Sequence, residues 1–524
     1  MKQADDEDKS IEKAPPFMKP PIWLGRIDRL LAVLIIIYLC ASSILLQRFP
    51  KVWTDTCWTM IESVTLVEEG RFVNPMMPRQ GLDKHFLAPQ IVPRLALAGV
   101  YSVWGVGLFQ SRALSVLAGL GIVIATYLFT RRYFGRGTAF IAGFLLIFDN
   151  IFFLVSRSVR DDIFVALFSV CGFFLFVYAV KEASRWSFAL SGALMGISLY
   201  THPNSAVVLF TIFLLFLIRD RLRFIFSVDF WIFIVSCLVL FSPYVIYVIY
   251  SDASNGFNDF IAQLGPNIAY SSRSVALDFL SGFVRVVRYI HFPFRIYIFI
   301  FQIFSLIFFW KNHKIVNRFL VIFVICFSLI LPFWNPSNTT PRYFIIITPV
   351  LSIIVAEFIM SLYRKRSGFG KFSGKLHFDS RVLAVFLGGA FFLNQFLGDV
   401  TILWRHRDND YHKFVSEIRN VVPRGSRVWG SVAFWLGMRD YPYRSQLTPL
   451  ADIIEFRPEY VILYDSEIWG NKSVIVGTPL EPPEGWKVTR EAMEGLCGAS
   501  GRRVAIIEDR FYGDIEIYRV QWDD

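Results

Sequence analysis

Charged residues are scarce in this chain of 524 residues. Asp, Glu, Lys and Arg together make up 18%, against ~25% in an ordinary soluble domain. That deficit excludes a conventional solvated surface over most of the chain. Cysteine is also sparse: four of the six (Cys40, Cys171, Cys237, Cys326) fall inside apolar segments, so neither a disulfide framework nor a zinc spacing is present. Only Cys57 and Cys497 lie outside them. No internal repeat of the transporter kind occurs, and the one low-complexity stretch is the charged N-terminus. The last 125 residues hold no nucleophile motif, metal cluster or phosphate loop.

What replaces charge is apolar surface: 55% hydrophobic residues, 17% aromatic, 54 of them Phe. These residues come in blocks. Ala113 to Thr130, Ile163 to Val180 and Phe230 to Tyr250 carry no charge, and roughly 20 residues suffice to cross hydrocarbon as a helix. Leu30 to Leu46 is similar, and shorter runs follow at 186–200, 205–218, 296–310, 319–334, 343–360 and 382–397. With 137–155, which contains Asp149, the expectation is an all-α polytopic membrane protein of about eleven transmembrane helices. The net charge of +11 sits between the blocks and so reports topology, not nucleic-acid binding.

Orientation follows from those basic loops, because Lys and Arg are retained on the cytoplasmic side. Arg131 to Arg136, Lys181 to Arg185, Arg219 to Arg223, Lys311 to Arg318 and Arg364 to Arg381 are placed inside, after a cytoplasmic tail at 1–28. The opposite short loops hold Arg157, Arg160 and Arg342. This count requires 89–108, with its Pro93 and Arg94, to lie as an interfacial helix in a first outer loop at 48–112. The membrane domain then spans 29–399, and 400–524 is an extracytoplasmic α/β domain: a helix at 411–421 and strands at 427–432, 460–464, 504–508 and 515–520. A middle outer loop occupies 251–295.

Acids gather where the outer surface should be. Asp55 follows the first span in a loop that continues through Glu62, Glu68, Glu69, Asp83, Lys84 and His85. Phe148-Asp149-Asn150 puts an ionisable group within a span, a functional signal by default. Ser156-Arg157-Ser158-Val159-Arg160-Asp161-Asp162 then concentrates four charges. His202-Pro203-Asn204 joins two short apolar runs, and Arg342-Tyr343 opens a late helix after Pro341. The bland alternatives are solvated loops, a salt-bridged helix end, a structural histidine and an aromatic-belt anchor.

The second of these stretches resembles the second-loop motif of protein O-mannosyltransferases: Phe148-Asp149-Asn150, then Ser156-Arg157, with an acid at Asp162. In the first loop Asp55 matches the family's Asp-Glu pair with Thr56 in place of Glu. Asp83 and His85 match its later segment, although Phe86-Leu87-Ala88 replaces Pro-Pro-Leu. Lys84 stands where the related aminoarabinose transferases carry a Lys-Pro-Pro-like segment. The resemblance therefore extends to the polyprenyl-phosphate-dependent glycosyltransferases of the C-type fold, over about residues 29–360. Together with the charge cluster at 157–162 and the His202 turn, it gives Asp55 and Asp162 as candidate catalytic acids, and Asp83, Lys84, His85, Arg157, Arg160, Asp161, His202, Arg342 and Tyr343 as candidate substrate-binding residues. The implied donor is a sugar on a lipid phosphate; the acceptor is a protein, lipid or glycan.

Such a donor already has a stable anionic leaving group. What remains is a base for the acceptor hydroxyl, for which Asp55 is the candidate, and cations for the phosphate, for which Arg157, Arg160, Lys84, His85 and Arg342 are candidates. Attack opposite the leaving group inverts the anomeric centre. A divalent cation held by Asp55 with Asp161 or Asp162 is the one cofactor these acids could support, although the mannosyltransferase-like pattern favours none. Asn338-Thr339-Thr340 and Asn471-Lys472-Ser473 are formal glycosylation sequons. A glycan on Asn338 would crowd the site, which favours a prokaryotic inner membrane. The competing class is a transporter or lipid flippase, with Asp149 and Glu357 as its midplane ionisable groups.

Overall fold

The structure, a computed structural model, describes residues 28–76, 81–251, 295–311, 314–334, 341–364, 379–446, 448, 450–464 and 499–522. Most of the middle outer loop, both sequons, Cys497 and most of the basic stretch 364–381 lie outside the described residues.

The apolar blocks are helices. They are α1 (Arg29–Ser43), α4 (Leu108–Phe134), α5 (Arg136–Ile147), α7 (Asp162–Glu182), α8 (Arg185–Leu199), α9 (Ser205–Asp220), α10 (Val228–Ser251), α11 (Arg295–Lys311), α12 (Ile315–Trp334), α13 (Thr348–Arg364) and α14 (Ser380–His406). Among the described residues, five helices are long and apolar enough to cross a membrane: α4, α7, α10, α12 and the one that starts at Ser380. Between α1 and α4 lie α2 (Thr54–Glu69) and α3 (Ile91–Trp104). At ~1.5 Å per residue α3 is about 20 Å long, close to the length of α1 and α5. It turns Ile91, Arg94, Leu97, Ala98 and Tyr101 inward.

The run at 137–155 departs from a continuous span. α5 stops at Ile147 and a new short helix, α6 (Asn150–Val155), restarts after Asp149. The Asp149 carboxylate accepts from the backbone N–H of Ile151 and Phe152 at 3.0 and 3.1 Å, and Gln395 of α14 donates to its other oxygen at 3.0 Å. Asn150 donates to Asp399 at 2.6 Å. The two polar residues therefore cap a helix break and bind it to α14.

The ends of the bundle differ in charge. Arg131 and Arg136 lie 3.5 and 3.4 Å from Asp28, the N-cap of α1, and Arg132 pairs with Glu182 at 3.1 Å. Gly135, at φ 92°, makes the turn between α4 and α5 at this end. Since Glu182 ends α7 and Asp162 begins it, the acids that open α7 stand about 30 Å away.

From Tyr411 the chain forms α15 (Tyr411–Val421), β1 (Val428–Gly430), α16 (Val432–Met438), β2 (Tyr443–Ser445), α17 (Leu450–Phe456), β3 (Tyr460–Tyr464), β4 (Ala499–Ile507) and β5 (Ile515–Trp522). The sheet order is β2-β1-β3-β5-β4, with β2, β1 and β3 parallel and β5 antiparallel to both its neighbours. The expected strand at 427–432 is shorter, because Ser431 caps α16 through the backbone N–H of Ala433. One apolar core joins this unit to α2: Tyr411, Phe414, Phe434 and Ile517 pack with Cys57, Met60, Ile61 and Val64. Tyr512 accepts from Val52 N, and Ser445 donates to Met76 O at 2.8 Å.

Helices α8 and α10 approach closely because Gly192 and Gly196 present no Cβ. One built at either position would overlap the backbone carbonyl of Phe233 or Cys237, the small-xxx-small packing of membrane helices. This contact holds the 200–204 turn, which follows α8. Gly196→Ala should lower the thermal-unfolding midpoint, a loss of about 1–3 kcal/mol for overpacking; an unchanged midpoint would show that the two helices part freely.

Candidate active site

Three helix starts and one turn converge at the acidic end. Asp55 lies in the first turn of α2 and Asp162 in the first turn of α7, where the partial positive charge of a helix N-terminus favours a carboxylate. Arg342 and Tyr343 lie on a 3-10 turn, Pro341–Ile346, just before α13. His202 and Asn204 come from the α8–α9 turn.

Arg160 binds both acids. Its Nη1 donates to Asp55 and its Nε to Asp162, the latter at 2.8 Å. Arg342 faces the same two carboxylate oxygens at 3.6 and 3.7 Å. These are ion-pair distances, longer than hydrogen bonds, and Arg342 Nε is buried without a hydrogen-bond partner. The Arg342 guanidinium lies 5.5 Å from the Tyr343 ring, and that ring is 5.8 Å from His202. Side-chain exposure grades across the cluster: Asp162 is 4% exposed and Asp55 37%, so Asp55 is the carboxylate that a molecule from outside can reach. Beneath them a crevice, too narrow for water, is lined by Asp162, Val165, His202, Asn204, Tyr343, Ile345 and Ile346. Asn204 Nδ2 is buried with no hydrogen-bond partner.

Charge states follow from these contacts. Burial pushes the Asp55 carboxyl up, but the guanidinium groups of Arg160 and Arg342 outweigh it and hold it below the usual carboxylate range. Arg160 is correspondingly raised: burial opposes its charge, and the charges of Asp55 and Asp162 prevail. Burial pushes His202 down to about 4. Its Nδ1 accepts from the Asn204 backbone N–H at 3.1 Å, so the proton of the neutral ring sits on Nε2, a donor without charge.

The remaining expected residues fall elsewhere. Arg157 does not join the cluster. It is fully buried, with Nη2 donating to the carbonyls of Ser42 and Ile44 and its guanidinium 4.5 Å from the Phe153 ring. The 156–161 segment is a turn, not a helix, so three residues of separation do not keep Arg157 and Arg160 on one face. Asp161 also turns away from Asp162: it accepts from Arg94 Nη1 at 2.9 Å, and Arg94 Nε donates to Glu62 at 3.2 Å. Glu62 and Arg94 were not among the expected site residues. The signals for them were a Glu seven residues after Asp55 on the same helix face and a lone Arg in an apolar helix. Asp83, Lys84 and His85 occupy a separate turn after Gly81, with Lys84 and His85 exposed. It is anchored to α10 where Tyr247 and Tyr244 donate to the carbonyls of Phe86 and Leu87 at 3.0 and 2.9 Å.

A divalent cation between Asp55 and Asp162 would take the position held by the Arg160 guanidinium. Among the described residues no group of three His, Cys, Asp or Glu side chains converges to replace it.

Residues 89–247 match the family model described as dolichyl-phosphate-mannose-protein mannosyltransferase. Among solved structures, ArnT from Cupriavidus metallidurans bound to undecaprenyl phosphate is similar with a TM-score of 0.60 and 12% identity, over 93% of this chain and 97% of that one. The Archaeoglobus fulgidus oligosaccharyltransferase tethered to an acceptor peptide is similar with a TM-score of 0.53 and 14% identity, over 84% of this chain and 69% of that one. The archaeal oligosaccharyltransferase AglB from Archaeoglobus fulgidus, in complex with an inhibitory peptide and a dolichol-phosphate, gives a TM-score of 0.53 and 12% identity, over 84% of this chain and 70% of that one. No curated protein sequence matches the chain. At these identities the likeness to the solved structures is one of fold, and with the family match it agrees with the motif resemblance: the chain has the fold of the polyprenyl-phosphate-dependent glycosyltransferases.

Proposed function

We propose that the protein is a membrane glycosyltransferase that moves a sugar from a polyprenyl- or dolichyl-phosphate carrier to a protein, lipid or glycan acceptor by inverting single displacement. The observation that carries this reading is the pair of arginines set against a pair of carboxylates, with Arg342 held only at ion-pair distance and its Nε making no hydrogen bond. A transport reading finds less support. Glu357, one of its two midplane acids, accepts from Thr138 at 2.9 Å and pairs at 3.2 Å with Arg364, the last residue of α13.

The topology proposed with it has eleven crossings, with the acid cluster, the first outer loop and the C-terminal α/β unit on the extracytoplasmic face of a prokaryotic inner membrane. The clustering of Arg131, Arg132 and Arg136 at the opposite end supports that sidedness.

In the state described, Asp55 is ionised but a poor base, because two guanidinium groups stabilise its charge. A donor phosphate competes for the same groups. As Arg160 and Arg342 turn to it, Asp55 loses their stabilisation and gains basicity at the moment when an acceptor hydroxyl needs it. The acceptor proton passes to Asp55, the new bond forms from the acceptor oxygen to the anomeric carbon, and the bond from that carbon to the phosphate oxygen breaks. The lipid phosphate leaves with its charge held by the arginines. His202 Nε2 and Asn204 Nδ2 offer uncharged donors in the adjoining crevice.

Asp55→Asn keeps size and removes basicity, so turnover should fall by about 10²–10⁴-fold while carrier binding persists. Near-normal turnover of the purified variant would remove Asp55 from the mechanism.

Arg342→Gln should weaken carrier-phosphate binding about 10–100-fold, the worth of one charge-assisted contact. Arg157→Gln should instead lower the unfolding temperature and leave binding intact. Titration with undecaprenyl phosphate beside thermal unfolding separates the two, and equal binding losses would return Arg157 to the site.

With His202 at about 4 and Asp55 held low, both keep their charge state from about pH 5 upward. Neither should give kcat/KM, which reports the donor-free enzyme, an acid limb between about pH 5 and 7. A limb in that range abolished by His202→Gln would contradict the neutral ring.

A further inference from the structure

Helix α2 carries two acids, Asp55 and Glu62, seven residues apart and so on one face about 10 Å from each other along the axis. Each meets the segment that precedes α7, but on different layers. Asp55 meets Arg160, which also holds Asp162. Glu62 meets Arg94, which also holds Asp161. Neighbours in sequence, Asp161 and Asp162 are thus drawn to opposite sides by different cations.

The second layer is the more deeply enclosed. Glu62 is 0% exposed, Arg94 2% and Asp161 7%. Every arm of the Arg94 guanidinium is used: Nε on Glu62, Nη1 on Asp161 and the Gln90 carbonyl at 2.8 Å, Nη2 on Gln90 Oε1 at 3.2 Å. Its face lies 4.7 Å from the Phe86 ring. Asn74 donates to the other Glu62 oxygen at 2.7 Å. Burial pushes the Glu62 carboxyl up to about 7 in spite of Arg94, and Asp161 up as well. A buried ion triad of this kind is weak evidence for stability, since well-packed neutral residues often serve as well; what it supplies is a fixed geometry.

We infer that Glu62, Arg94 and Asp161 are positioning residues for the reaction: the triad fixes the turn before α7 so that Arg160 and Asp162 face Asp55. The inference rests on the proposed glycosyl transfer. Arg94 acts through Asp161 and touches no reacting atom. The Arg94→Met change alone leaves two buried carboxylates without a cation, so the informative variant is neutral throughout: Glu62→Gln, Arg94→Met and Asp161→Asn together. It removes every charge and keeps the volumes near their originals.

The full-length protein in detergent is compared with this variant by thermal unfolding, by hydrogen exchange over residues 156–164, and by turnover. The expected result is an unfolding midpoint equal to or above the original, exchange at 156–164 at least 10-fold faster, and kcat reduced about 10–100-fold with the donor KM changed less. Restoring Arg94 and Asp161, with Glu62→Gln alone, should recover most of the rate. Unchanged exchange at an unchanged midpoint overturns the inference. So does faster exchange with normal turnover, which leaves the proposed function standing. If the triple variant does not fold, Arg94→Lys is measured the same way, and normal exchange and kcat in it overturn the inference. If the original protein shows no turnover, the proposed function fails instead and exchange decides the positioning claim.

Discussion

The Arg160 guanidinium between Asp55 and Asp162 is the contact on which the rest of the acidic end depends. Two carboxylates from different helix starts, one of them almost fully enclosed, repel each other and lose hydration. Without a cation between them one would take a proton or the helices would separate. Arg160 removes that conflict from within the chain, since it is two residues from Asp162 and reaches across to α2. Arg342 then brings the 3-10 turn to the same charges at longer range. The balance is close enough to be redistributed: an anion entering this end exchanges ion pairs instead of forming them from nothing.

Much of this arrangement was legible in the sequence. Apolar blocks of sufficient length become helices because an unpaired backbone group is untenable in lipid, and the shorter runs at 186–200 and 205–218 follow the same rule. Asp55, Asp162, Arg342 and Tyr343 fall at helix starts, where position along the chain fixes position in space, and they do meet. Arg157 shows the limit. It sits in a turn whose local direction no periodicity records, and burial against Phe49 and Phe153 takes it toward α1. Asp149, an ionisable group inside an apolar run, signals a function by default, but its carboxylate serves the helix that restarts beside it. In the C-terminal unit, α15 and β3 were visible from their patterns. β2, at three residues, and α16 and α17, at seven each, are too short to show one.

The described residues of the C-terminal α/β unit share their core with the face of α2 opposite the acid cluster. Cys57 shows this directly: it sits two residues from Asp55, and its thiol donates to the carbonyl of Ala433. The α/β unit thus bears on the helix that holds both Asp55 and Glu62.

Helix α2 therefore has one face committed to two ion layers and another committed to an apolar core, and both are anchored to different parts of the chain. Such a helix has a phase as well as a position. One residue added between Asp55 and Glu62 would turn everything beyond it by about 100°, taking Glu62 off the ion face and the residues beyond it off the apolar core together. Substitutions can be absorbed one at a time along this helix, but its length between the two acids cannot drift, and that fixed interval is a signature to look for when more divergent chains of this architecture are compared.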